Sequence, residues 1–149
     1  MSRSAKIALP AQLENLEAML GFIREGAEKQ GFDQKTIHQI HLACEEALVN
    51  VIHYAYPDGN GNIEITYDLN EEKGLVIEII DRGIPFNPLS LPEPDIEASI
   101  EDRTIGGLGV YMMRNIMDEV TYKREQGRNI LTLVKYHCIR TDTEPPESR

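Results

Sequence analysis

Apolar positions recur along the chain with two different periods, and the switches between them mark out the elements. Residues 5–9 (AKIAL) are short and apolar enough for a first strand, which Pro10 ends. From about Ala11 to Gln30, Leu13, Leu16, Leu20 and Ile23 recur at spacings of three and four, so one buried helical stripe is predicted. Gly31 suits a helix C-cap and Asp33 the N-cap of a second, longer helix, about Gln34 to Tyr56. Its apolar face is Ile37, Ile40, Cys44, Leu48 and Val51, and Pro57 with Asp58-Gly59 ends it.

Asn62–Leu69 then alternates with period two: Ile63, Ile65, Tyr67 and Leu69 face one way, Glu64, Thr66 and Asp68 the other. A hairpin loop at Asn70–Gly74 leads into Leu75–Ile80, whose dense apolar run suits a central strand. Beyond Asp81 neither period survives, and residues 83–95 are rich in proline and glycine. A long irregular stretch inside a small domain is usually functional. Order resumes at Gly106-Gly107-Leu108-Gly109 with a helix through about Met117, followed by two alternating strands, Val120–Arg124 and Asn129–His137, turning at Gln126-Gly127. Strands bunched in hairpins beside about three helices predict an α+β two-layer sandwich with a mainly antiparallel sheet and the helices on one face. Residues 1–140 form one domain on this reading, and 141–149 have the composition of a disordered tail.

Composition narrows the function. With 149 residues there is room for one core, and 41% apolar residues suffice to build it. The net charge of −10 argues against a nucleic-acid partner, which calls for a basic footprint. No apolar run approaches the roughly 18–20 residues of a membrane span, and no signal-peptide core follows Met1. Cys44 and Cys138 have no CxxC spacing and read as reduced thiols of a cytoplasmic protein.

Three segments carry candidate chemistry. In Glu45-Glu46-Ala47-Leu48-Val49-Asn50 the spacing puts Glu46 and Asn50 on one helix face. An amide oxygen is a suitable ligand for a hard cation such as Mg²⁺, and a carboxylate can accept a proton. In Asp81-Arg82-Gly83-Ile84-Pro85-Phe86, a carboxylate at a buried strand end can accept from an exocyclic amine such as that of adenine, and Gly83 lets backbone approach a flat ring. Gly106-Gly107-Leu108-Gly109-Val110, opening a helix, can aim amide N–H groups at phosphate oxygens. Each alone has an ordinary structural explanation: a solvated helix face, an Asx turn, a hinge. Together and in this order they describe a nucleotide site. His38, His41 and Glu45 share a helix face, but with no further ligand nearby they read as a packed or solvated face. Met112, Met113 and Met117 read as core filler.

On these segments the chain resembles the GHKL (Bergerat-type) ATPase superfamily, whose N, G1 and G2 boxes match EEALVN, DRGIPF and GGLGV. Within it the chain is most similar to the small bacterial anti-sigma-factor serine/threonine kinases (RsbW-like). HYAYP, PFNP and MRNIMDEVTY have the flavour of that branch, and the likeness spans about residues 5–138. The resemblance implies a Bergerat fold, ATP and Mg²⁺ as cofactors, and a homodimer. It implies Glu46 as catalytic base, Asn50 as the Mg²⁺ ligand, Asp81 as reader of the adenine amine, and Gly83 as the residue giving it room. Gly107, Leu108 and Gly109 would wrap the phosphates, and Arg103, in a lid over about Pro88–Ile105, would reach the γ-phosphate. The implied partners are a small antagonist protein of STAS type, phosphorylated on serine, and a sigma factor. The chain departs from the family pattern in having Tyr54 where histidine is frequent, Gly127-Arg128 in place of Gly-Thr, and no arginine within residues 11–23. A module that senses nucleotide and sequesters a regulator without phosphotransfer is the alternative of a different class.

Overall fold

The computed structural model describes residues 3–90 and 107–136. In chain order its elements are β1 (Arg3–Pro10), α1 (Leu16–Gln30), α2 (Gln34–Tyr54), β2 (Asn62–Asn70), β3 (Gly74–Asp81), α3 (Gly107–Ile116), β4 (Glu119–Glu125) and β5 (Arg128–Lys135). The five strands form one sheet in the order β1-β2-β3-β5-β4, with every neighbouring pair antiparallel. The α+β class and the antiparallel sheet therefore stand as read from the sequence.

The core follows the periodicity. Ile63, Ile65, Tyr67 and Leu69 of β2 are buried and meet the apolar faces of α1 and α2, where Leu20, Ile23, Ile37, Ile40, Cys44, Leu48 and Val51 are buried too. Full burial of such a side chain stabilises by about 1.5–3 kcal/mol. α1 packs on α2 and on the first three strands, and α2 packs on α3. Both helix boundaries named by chemistry hold: Asp33 accepts from the Thr36 amide at 2.8 Å, and Gly31 takes φ 93° after the last turn of α1. Gln126 and Gly127, at φ 52° and 75°, make the two-residue turn that right-twisted antiparallel strands prefer.

Some boundaries move. The first helix starts at Leu16 rather than Ala11, because Leu13–Asn15 wind as a 3-10 turn in which the Asn15 side chain donates through Nδ2 to the Pro10 carbonyl at 2.9 Å. Leu13, counted in the buried stripe, is consequently 55% exposed, and Met19 is buried on that face instead. The second helix ends at Tyr54, two residues early, since Tyr56 is drawn away by its hydroxyl bonds to Asn62 and Arg82. β5 does not alternate: between β3 and β4 it buries Ile130, Leu131, Leu133 and Val134 on both faces. Within the irregular stretch, Pro88–Ser90 form a 3-10 turn capped by the Asn87 side chain, which accepts from the Leu89 amide. The remaining lid with Arg103, the glycine at 106 and the tail at 141–149 lie outside the described residues. Among the described residues no helix is long and apolar enough to cross a membrane.

Candidate functional site

Three polar residues are buried among the described ones, each about 3% exposed: Asn50, Asp81 and Asn129. A buried polar group without a partner is costly, so each needs a reason to be there.

Asp81 closes β3 and stands opposite Asn129 at the start of β5. Its Oδ1 accepts from the Gly83 amide at 2.9 Å and from Asn129 Nδ2 at 2.8 Å. Among the described residues no hydrogen bond reaches its second oxygen, which leaves an acceptor for a ligand. Burial pushes the Asp81 carboxyl above the usual carboxylate range, opposed by these two hydrogen bonds and by the Arg124 guanidinium.

Asn129 is a residue the sequence reading passed over. Its Nδ2 also donates to the Ile84 carbonyl at 2.7 Å, while its Oδ1 accepts from the Tyr122 hydroxyl at 2.6 Å and the Phe86 amide at 3.3 Å. One side chain thus ties Asp81 to the loop that follows it and to β4. The available signal was the register of the two hairpins, which sets residue 129 opposite residue 81.

Gly83 is required by packing. A Cβ there would lie 2.0 Å from the Ala55 carbonyl oxygen, and the next amide, of Ile84, donates to that same oxygen at 2.9 Å. The room expected for a flat ring is thus taken up, on this side, by the end of α2. The contact docks the loop after Asp81 against the helix that carries Glu46 and Asn50.

On that helix Asn50 lies one turn after Glu46 and five residues before Ala55, a rise of about 7–8 Å. The Asn50 Nδ2 atom is buried with no hydrogen-bond partner. Among the described residues no hydrogen bond reaches its oxygen either. A side chain of this kind fits a hard cation such as Mg²⁺ through its oxygen. Glu46 is half-buried, and desolvation, helped by the neighbouring Glu45 charge, raises its pKa, which makes it a better proton acceptor.

Gly107, Leu108 and Gly109 form the first turn of α3, the helix packed on α2, so the glycine run does open a helix. The chain therefore gathers Asn50, Asp81 and Gly83 around the end of α2, with the start of α3 on the helix beside it.

The rings of His38 and His41 lie parallel with centroids 6.4 Å apart, and no cluster of three metal-ligating side chains forms among the described residues. Burial pushes the Cys44 thiol up to about 12, so it stays protonated and inert. Met113 and Met117 are buried in the core.

A family model described as "Histidine kinase-like ATPase domain" matches residues 9–135. The chain is 30% identical over 142 residues to "Serine-protein kinase RsbW" of Bacillus cereus, covering 91% of this chain and 88% of that one. It is 27% identical over 135 residues to the protein of the same name from Bacillus mycoides, covering 88% and 83%. Among solved structures, the RsbU and RsbW domains of a Mycobacterium tuberculosis protein superpose with TM-score 0.59 at 19% identity, over 90% of this chain and 32% of that one. The histidine kinase domain of a blue-light-activated histidine kinase from Erythrobacter litoralis gives TM-score 0.53 at 18% identity, over 82% of this chain and 61% of that one. At those identities the likeness is one of fold.

Proposed function

Since this chain belongs to the histidine kinase-like ATPase domain family, we propose that it is an Mg·ATP-dependent protein serine/threonine kinase of a bacterial partner-switching system. The observation that carries the reading is the pairing, one turn apart on α2, of a carboxylate with raised pKa and a buried amide whose nitrogen has no hydrogen-bond partner. A module that sensed nucleotide and only sequestered a partner would use the amide but would need no base at Glu46. The similarity to proteins named serine-protein kinase supports the same reaction class.

In this reading Asp81 accepts from the adenine amine through its free oxygen, and Asn129 and Gly83 hold its other oxygen in place. Gly107, Leu108 and Gly109 offer backbone amides to the phosphates, with the α3 dipole behind them. Arg103 meets the γ-phosphate. Asn50 holds Mg²⁺, which neutralises charge on the phosphate oxygens when bound. Glu46 accepts the proton of an incoming serine hydroxyl; the new O–P bond forms as the bond to the β-phosphate oxygen breaks, and ADP leaves. Positioning and charge neutralisation carry such a reaction, so few side chains are needed. Because Glu46 must be ionised, transfer should rise with pH through its raised pKa.

The protein substrate is a small antagonist of STAS type and the second partner a sigma factor, with the kinase acting as a cytoplasmic homodimer. Transfer of radiolabel from ATP to such an antagonist tests this directly. Glu46→Gln should slow transfer by on the order of 10²–10⁴-fold while keeping the rise in Tm that Mg·ATP produces. Wild-type transfer by Glu46→Gln would overturn the role of the base, and no rise in Tm at saturating Mg·ATP would overturn nucleotide binding altogether.

A further inference from the structure

The strand ends that position Asp81 and Asn129 carry a second pair beside them. β3 and β5 are in register with Ile80 opposite Ile130 and Asp81 opposite Asn129. Arg82 directly follows Asp81 and Arg128 directly precedes Asn129, so the two arginines adjoin that pair at the sheet end. Ile80 and Ile130 are buried but stand outside the core beneath the helices. Arg82 and Arg128 line one cleft of about 420 Å³, together with Tyr56, Asn60, Asn62 and Glu64.

Like charges that line one cleft repel each other. Here they occur in a chain with 25 acidic residues against 15 basic ones, which could readily have supplied carboxylates instead. The local acids leave the pair largely uncompensated. Arg82 is exposed and makes no ion pair among the described residues. Arg128 reaches Glu125 only at 3.9 Å, and shares that oxygen with Lys123 at 3.7 Å. Glu64, in the cleft wall, is itself 3.7 Å from the Lys6 ammonium. Asp81 also borders the cleft, with one of its carboxylate oxygens, Oδ1, engaged by Asn129 and Gly83. The walls are held firmly. The Tyr56 hydroxyl accepts from the Arg82 amide at 2.7 Å and donates to the Asn62 carbonyl at 2.6 Å, and its ring packs so closely on Gly61 that a Cβ there would lie 2.0 Å from it.

We propose that this cleft, which meets the candidate nucleotide site at Asp81, is an oxyanion-binding site in which the Arg82 and Arg128 guanidinium groups together grip a phosphate or carboxylate group. Two planar forks lining one preformed cleft suit such an anion, and an anion between them removes their repulsion. Because Arg82 and Arg128 adjoin Asp81 and Asn129, occupancy stiffens the strand ends that position those two residues. The inference stands independently of the proposed kinase activity.

The test is an NMR titration of the ¹⁵N-labelled full chain with inorganic phosphate, and in parallel with acetate, at ionic strength held constant with sodium chloride. The amides of Gly61, Asn62, Arg82 and Arg128 should shift together and saturably, with a midpoint distinct from any shift at Gly107 and Gly109. In the Arg82→Gln/Arg128→Gln double variant the affinity read from Gly61 and Asn62 should fall at least tenfold. If that variant does not fold, Arg82→Gln alone, at an exposed position, should weaken the same response severalfold. Response to both anions identifies a general oxyanion site, and response to phosphate alone identifies a phosphate site. No saturable shift with either anion, or an undiminished shift in the variants, would overturn the proposal.

Discussion

Asn50 and Asn129 are the same residue type and equally buried, yet they are spent differently. Asn129, at the sheet end, uses both its nitrogen and its oxygen on four partners: Asp81, Ile84, Phe86 and Tyr122. Asn50, inside α2, has a buried nitrogen bonded to nothing. A satisfied buried amide fixes architecture, because removing it strands its partners. An unsatisfied one works against the fold and marks a place where binding supplies the missing interactions. The sheet end is thus a scaffold, and in the proposed reading the polar turn of α2 is the part kept in readiness.

The largest effect should come from Asn129→Ala, which leaves the Tyr122 hydroxyl, the Ile84 carbonyl and one contact of Asp81 unmade. It should cost about 3 kcal/mol of stability, read from urea midpoints, and loosen nucleotide binding as a consequence. Gly83→Ala, which forces a Cβ against the Ala55 carbonyl, should cost about 2 kcal/mol and perturb the loop between the two regions. Asn50→Ala should shift stability without nucleotide by less than about 1 kcal/mol, since relief of the unpaired nitrogen offsets lost packing. The same change should largely remove the Mg²⁺-dependent part of ATP stabilisation in a melting experiment. Equal destabilisation by Asn50→Ala and Asn129→Ala would erase the distinction between scaffold and site.

The smallest effect is a change of slope. Burial raises the folded-state pKa of Asp81 above its unfolded value, so the folded protein binds that proton more tightly. Ionised Asp81 therefore weighs against folding at pH above its folded pKa, and protonation lifts the penalty as pH falls toward the unfolded value. From neutral pH down into the carboxylate range, the wild type should lose less stability than Asp81→Asn. A steeper loss in the wild type would mean that the hydrogen bonds from Asn129 and Gly83 outweigh desolvation.

Much of this could be read along the chain. The period-two run of β2, the Asp33 cap, the Gly31 stop and the Gln126-Gly127 turn each depend on residues within a few positions of one another, and each appears where expected. Leu13 shows the limit of periodicity: its spacing suits the stripe, but the Asn15 bond to Pro10 takes it out of the helix. Glu46, Asn50 and Asp81 were visible because their chemistry is unusual inside apolar segments. Their local surroundings confirm burial at Asn50 and Asp81 and a desolvated carboxyl at Glu46.

By itself the sequence determined the element types, the antiparallel class and the residues with chemistry to offer, because periodicity, capping and turn preference act over short stretches. Only the tertiary structure decided which of those residues have their needs met within the chain. That question turns on partners up to 48 positions away, such as Asn129 for Asp81. Strand register sets those meetings: the alignment of β3 with β5 joins Asp81 to Asn129, and brings the adjoining Arg82 and Arg128 to one cleft.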